Sequence, residues 1–295
     1  VALTVGLLSP GDMGGATGRV LQAGGARVLT CLAGRSERTR GLAAAAGFSD
    51  VPTPDDLVRE ADIVLCILVP SEARGVAAAV AAAIRRTGAD VTYADCNAIS
   101  PDTVREIGAT ITAAGGRFVD AGIVGGPPQV GKAGTRYYAS GADADRFAAL
   151  AQHGLEVRVI GPEIGQASGL KMCYAALTKG VTALGTELLL AAHLLGLGDA
   201  LRAEQRDSTP ELLASLMRSL PAMPPKAYRW VGEMEEIAAT FAEVGLTPQM
   251  FAGAADIYRL VAETPIGKET PENRDCSRDA DGVIAALEQA VRNRQ

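Results

Sequence analysis

At 295 residues the chain is too long for one small core and about right for two domains. Hydrophobic residues make up 48% and charged residues 21%, the balance of an ordinary soluble protein, and a net charge of −6 with scattered Lys and Arg excludes a surface that tracks nucleic acid. Two histidines, and five cysteines with no C-x-x-C pair, leave little material for a metal site or a Ser/His/Asp triad, so a general acid is expected to be Lys, Tyr or a carboxylate.

The chain opens on an apolar run, Leu3–Leu8, that leads into Ser9-Pro10-Gly11-Asp12-Met13-Gly14 and then a helical segment, Gly14–Ala23. Without a basic n-region or cleavage site, this start reads as a buried strand rather than a signal peptide, and reduced thiols point to the cytoplasm. Strand, glycine turn and helix in succession form the context in which a dinucleotide pyrophosphate sits on a helix N-terminus. The pattern G-x-G-x-x-G would place glycines at 9, 11 and 14, and position 9 is Ser. Ser9, Pro10, Gly11, Asp12 and Met13 are the expected cofactor contacts of this turn.

Further strands are expected at Arg27–Leu32, Ile63–Val69, Val91–Ala94 and Arg117–Asp120, with Ala-rich helices at Glu37–Ala46, Glu72–Arg86 and Asp102–Ala114. Such alternation implies a parallel sheet covered on both faces, with Arg136–Ala139 and Val157–Ile160 as later strands of it. After the second strand come Gly34-Arg35-Ser36-Glu37-Arg38. An acidic residue here would bind the free ribose 2′-hydroxyl of NAD; Arg35, Ser36 and Arg38 suit the 2′-phosphate of NADP. An Arg in a first helical turn opposes the macrodipole, which favours a bound anion over a merely basic helix start. Val69-Pro70 is expected as a turn at the cofactor crevice. Asn97, in Asp95–Pro101, is either a loop former or a contact to the nicotinamide ribose or substrate. Val124, Gly125 and Gly126 end the segment from Asp120, where bare backbone N–H groups can face a substrate or merely turn the chain.

From Gln166 the pattern is helical: Gln166–Ala203, Pro210–Leu220, Lys226–Val244, Pro248–Ala262 and Asp279–Arg292. The expected division is 1–161 for the dinucleotide domain and 162–295 for an all-α substrate and dimerisation domain. The greasiest stretch, Leu184–Leu197, contains Glu187 and His193 and is too short to span a bilayer, so no membrane partner is expected. Lys171, Tyr174 and Thr178 share one helix face, and a Lys near the start of an apolar helix either snorkels to solvent or serves as a general acid/base in a cleft.

Together, Gly6–Gly14, Gly34-Arg35-Ser36, Val69-Pro70, Asp95–Pro101, Asp120–Gly126 and Gly165-Gln-Ala-Ser-Gly-Leu-Lys171 resemble, in order, the β-hydroxyacid dehydrogenase and 6-phosphogluconate dehydrogenase superfamily. Lys226–Ile237 resembles a poorly characterised branch of it. The resemblance implies an α/β fold: an N-terminal Rossmann doubly wound parallel sheet, then an all-α C-terminal domain that builds a homodimer. It implies an active site in an interdomain cleft, a nicotinamide cofactor, which Arg35 and Ser36 make NADP(H), a small-molecule substrate and Lys171 as the catalytic Lys. Three departures stand out: Val124 replaces a substrate-binding Ser, Tyr174-Ala175 replace an Asn after the Lys, and no later-helix Lys has a counterpart near Trp230–Ile237. The expected activity is an alcohol–carbonyl interconversion. The alternatives are an imine reductase using Tyr174, with Glu233, Glu235 and Glu236 favouring a cationic imine, and a non-catalytic NADP-binding regulator.

Overall fold

The computed structural model describes residues 3–270 and 272–294. It divides into two compact units, Val1–Met172 and Cys173–Gln295.

The first unit begins β1 (Thr4–Leu8), α1 (Asp12–Ala23), β2 (Arg27–Thr30), α2 (Glu37–Ala46), β3 (Ser49–Asp50) and α3 (Pro54–Glu60). It continues β4 (Ile63–Cys66), α4 (Pro70–Thr87), β5 (Thr92–Asp95), α5 (Pro101–Thr112) and β6 (Arg117–Val124), then β7 (Arg136–Ser140), α6 (Ala144–Ala148) and β8 (Glu156–Gly161). One sheet contains all eight strands in the order β3-β2-β1-β4-β5-β6-β7-β8. The first six of that order are parallel, as the strand–helix alternation implies. Both later strands join this sheet as expected, but β7 runs antiparallel to β6. A parallel return needs a crossover, usually a helix. The segment 125–135 contains none, so the chain folds back as a hairpin.

Alternation along the strands sorts side chains to the two faces. Ile63 and Leu65 of β4 join Val5, Leu7 and Val119 in one core, whereas Val64 and Cys66 join Tyr93 and Phe118 in the other. Helix starts follow local chemistry. Ser36, Thr53 and Ser100 each accept a hydrogen bond from the N–H three residues on, and Pro54 and Pro101 open their helices. Pro70 likewise opens α4, which begins where the sequence predicts a turn.

The second unit is helical. The division falls inside α7 (Gln166–Leu194), beyond the end of β8 at Gly161. Then come α8 (Gly198–Ser208), α9 (Pro210–Ser219), α10 (Ala227–Glu243), α11 (Gln249–Glu263) and α12 (Ala280–Arg292). The single helix expected over 166–203 is broken at Gly196, whose φ of 71° only glycine adopts freely. α7 and α9 approach closely at Gly185, where a Cβ would lie 2.3 Å from the Leu216 side chain. Phe241 of α10 packs on Phe251 of α11 with ring centroids 4.4 Å apart.

α7 spans 29 residues, longer than the greasy stretch Leu184–Leu197, and passes a length-and-composition test for a membrane span. Half of its most apolar window is nevertheless buried within the protein, and it carries Lys171, Lys179 and Glu187. One face of the helix, with Ala167, Met172, Ala175, Ala183, Leu189 and Leu190, is buried in the protein, as in a core helix.

Candidate functional site

Because β1, β2, β4, β5 and β6 are parallel, the segments after them emerge at one edge of the sheet. The chain leaves β1 toward β2 on one side and returns through β4 on the other, so the crevice at this edge between β1 and β4 is a topological switch point. Ligands of open α/β sheets bind at that point.

The turn after β1 is built for close approach. Ser9 stands where the fingerprint wants glycine, and it takes the glycine-like conformation, with φ 63°. It is the only residue other than Gly with positive φ among the described residues. Its carbonyl accepts the Gly11 N–H at 2.7 Å, and a Cβ on Gly14 would lie 2.7 Å from that same oxygen. Gly11 is the N-cap of α1, has no side-chain capping bond, and has open space where a Cβ would be. An uncapped helix start with room above its N-cap fits a pyrophosphate. Pro10 is buried, Met13 partly buried and Asp12 exposed.

After β2, Gly34 turns the chain with φ 72°. Arg35 is partly exposed, and the Ser36 hydroxyl caps α2 by accepting the Thr39 N–H at 3.2 Å. Arg38 forms an ion pair with Asp12 at 2.8 Å. The cation in the first turn of α2 thus already faces an anion of the protein, which weakens the inference from the helix macrodipole to a bound phosphate.

Asn97 is buried and pins the crevice wall. Its Oδ1 accepts the Leu68 N–H at 2.5 Å, and its Nδ2 donates to Cys66 Sγ at 3.4 Å. It thereby ties the end of β5 to the segment Leu68-Val69 that leads into α4. Val69 is partly buried and Pro70 buried. Burial pushes the Cys66 thiol up to about 12, so it stays protonated and inert at neutral pH.

At the end of β6, Val124 is buried and Gly125 and Gly126 are exposed. Gly125 has φ 119°, and a Cβ there would lie 2.4 Å from the Gly134 carbonyl oxygen, so the hairpin closes only with glycine at this point. The Lys171 ammonium, partly buried, donates to the Ile123 carbonyl at 2.6 Å. A cationic donor is therefore fixed at the Ile123–Val124 peptide, at the end of β6.

In the second unit, Tyr174 is 45% exposed and Thr178 is exposed, its hydroxyl donating to the Tyr174 carbonyl at 3.3 Å. Thr178 lines a cavity of about 450 Å³ together with Lys179, Thr182, Ser215, Ser219 and Trp230. Lys179 pairs with Glu233 at 2.8 Å and lies 5.4 Å from the Trp230 ring centroid. The Tyr258 hydroxyl donates to the Lys179 carbonyl at 2.6 Å. Sequence reasoning misses this buried pair, because nothing local links α7 to α10. It also corrects the acidic face expected for a cationic imine: Lys179 already balances Glu233, and Arg259 balances Glu235 at 2.8 Å.

Residues 4–155 match the NAD binding domain of 6-phosphogluconate dehydrogenase, and residues 192–261 match a domain of unknown function. An uncharacterized 28.5 kDa protein of Methanothermus fervidus is 33% identical over 174 residues; the match covers 59% of this chain and 65% of that protein's length. A solved conserved protein of unknown function, described as structurally similar to 3-hydroxyacid dehydrogenases, is 33% identical, with TM-score 0.64, over 88% of this chain and 97% of its own. The fold is shared with Mycobacterium tuberculosis 3-hydroxyisobutyrate dehydrogenase at 20% identity and TM-score 0.68, over 99% of this chain and 100% of that one. It is also shared with a Pseudomonas imine reductase at 16% identity and TM-score 0.54, over 99% of this chain and 100% of that one. With its dinucleotide edge and the matches to its sequence, the chain belongs to the 6-phosphogluconate dehydrogenase and β-hydroxyacid dehydrogenase superfamily of nicotinamide-dependent oxidoreductases.

Proposed function

We propose that the protein is an NADP(H)-dependent oxidoreductase that interconverts an alcohol and a carbonyl on a small substrate, with Lys171 as general acid/base. The observation that carries this reading is the Lys171 ammonium, held at 2.6 Å by the Ile123 carbonyl. A hydride from or to the nicotinamide leaves a proton to be delivered to, or removed from, the substrate oxygen, and Lys171 Nζ is the group for it. Ser9, Pro10, Gly11, Asp12 and Met13 would hold the pyrophosphate. Arg35, Ser36 and Arg38 would meet the 2′-phosphate, and Val69, Pro70 and Asn97 would border the nicotinamide side. Val124, Gly125, Gly126 and Thr178 would shape the substrate pocket. Turnover by Lys171→Met across an alcohol and carbonyl screen tests the central claim.

The choice of NADP over NAD rests on Arg35 and Ser36 standing where an NAD-binding chain would carry an acidic residue. Titration of protein fluorescence should give NADPH an affinity at least about tenfold above NADH, the worth of one charge-assisted contact to the phosphate. Arg35→Ala should remove most of that ratio while leaving NADH binding unchanged. A preference for NADH in the unaltered protein refutes this part of the reading.

The exposed face of α7 supports a homodimer through the helical unit. Tyr174, Leu177, Val181, Leu184, Leu188 and Ala191 recur at alternating steps of three and four, the spacing of a helix–helix seam. Leu177 is 68% and Leu184 61% exposed in the single chain, unusual for large apolar residues in register. Leu184→Asp places a charge in that seam and should raise the dimer dissociation constant by a factor on the order of 10² or more. Light scattering across a dilution series reads it; a monomer in the unaltered protein overturns the assignment. Residence in the cytoplasm accords with three buried free cysteines.

The imine-reductase reading keeps one supporting observation, the half-exposed Tyr174 three residues after Lys171. Cyclic-imine reduction that survives Lys171→Met and is lost in Tyr174→Phe would favour it.

A further inference from the structure

We propose that Asp120 is a positioning residue: by capping α7 from the neighbouring strand, it fixes the rotation of the helix and hence the place of Lys171. The inference rests on the reading of Lys171 as the proton-transfer group.

Helix α7 has no Ser, Thr, Asp or Asn immediately before its first residue; Gly165, with φ 104°, stands there. Its orphan N–H groups are satisfied from a distance. Asp120 Oδ2 accepts hydrogen bonds from the N–H groups of Gly165 (2.8 Å), Ala167 (3.1 Å) and Ser168 (3.2 Å), and from the Ser140 hydroxyl (3.0 Å). Its Oδ1 accepts from the Ser168 hydroxyl. The carboxylate is wholly buried, and that burial raises its pKa against the opposing pull of Ser168, Gly165 and Ser140. A buried anion at a helix N-terminus also meets the positive end of the macrodipole.

The same strand grips the helix at two further points. Gly122 lies so close that a Cβ would sit 2.8 Å from the Ala167 carbonyl oxygen and 3.0 Å from Lys171 Cβ. The Ile123 carbonyl takes the Lys171 ammonium at 2.6 Å. Asp120, Gly122 and Ile123 therefore hold the first turn, the backbone and the catalytic amine of α7 from one rigid element. A local cap at position 165 would stabilise the helix as well, yet it would leave the helix free to roll on the strand. One residue of roll is about 100°, enough to carry Lys171 off the Ile123 carbonyl. A cap supplied by β6 removes that freedom.

The test reads the amine directly and needs no substrate. The full chain is pulsed with acetic anhydride, and acetylation of Lys171 relative to exposed Lys132 is followed by peptide mass spectrometry, with NADPH binding as the check on fold. Acetic anhydride reacts with an amine it can reach, so losing the bond that holds Nζ against the Ile123 carbonyl should make the amine more reactive. Asp120→Asn should raise the Lys171 rate by about tenfold, the equivalent of one hydrogen bond to a charged group. Lys132 should be unaltered and NADPH affinity retained within about twofold, below the worth of any lost phosphate contact. Ser168→Ala, which removes a single donor to Asp120, should give a smaller rise in the same direction, and it decides the matter if Asp120→Asn does not fold. A folded variant with unchanged Lys171 labelling overturns the positioning role. The failure of Lys171 as proton donor would appear elsewhere, as turnover persisting in Lys171→Met.

Discussion

Lys171→Met should lower kcat by a factor on the order of 10² to 10⁴, the usual contribution of a positioned general acid/base. KM and NADPH affinity should change little. Methionine keeps the apolar stem that packs beside Gly122 and loses only the ammonium that bonds the Ile123 carbonyl. The fold should survive because the first turn of α7 is still held by Asp120 when the amine is lost. Steady-state turnover on the best substrate from an alcohol and carbonyl screen measures the effect, with thermal melting as the control. Near-normal turnover would remove Lys171 from the mechanism. Tyr174→Phe sharpens the comparison: its hydroxyl belongs to the exposed part of α7, and its removal should cost far less than loss of the amine if the substrate is an alcohol or ketone.

The local signals in this chain are legible. Ser100-Pro101 opens α5 as its chemistry requires, Ser36 caps α2, and the alternation of strand and helix gives β1, β2, β4, β5 and β6 but misses the two-residue edge strand β3 and helix α3. What the sequence hides are interactions between residues far apart in the chain. Asp120 reaches an amide 45 residues on, Asn97 reaches back to Leu68, and Lys179 finds Glu233 on another helix. No periodicity or spacing encodes such pairs; they exist only once the sheet and helices are stacked. The reversal at β7 is hidden for a different reason. An apolar strand reads alike in either direction, and only the helix-free segment between β6 and β7 betrays the hairpin. The meaning of Arg38 likewise changes because its partner, Asp12, sits on a different helix.

Substitutions in the turn after β1 should separate what builds the turn from what faces the dinucleotide. Gly14→Ala puts a methyl 2.7 Å from the Ser9 carbonyl oxygen, which is already held by the Gly11 N–H. Backbone must move, so stability should fall by about 1–3 kcal/mol and dinucleotide affinity should collapse with it. Gly11→Ala is the opposite case. Its φ of −78° suits alanine, and no atom lies within 4 Å of the added methyl, so the melting temperature should hardly change. The methyl instead enters the space through which a phosphate reaches the start of α1. NADPH affinity should therefore fall by about tenfold or more, the loss of at least one hydrogen bond to a charged group. Ser9→Gly completes the set. Serine at φ 63° stores about 1–2 kcal/mol of strain, and glycine gives back part of it through a freer unfolded chain, about 0.5–1 kcal/mol. The net expectation is a gain of roughly 0.5–1 kcal/mol with binding intact, unless the Ser9 hydroxyl itself grips a phosphate, in which case affinity falls as stability rises. Denaturation curves paired with NADPH titrations read all three. Gly11→Ala is decisive, since a variant that binds NADPH as well as the parent would mean that no phosphate approaches the chain there.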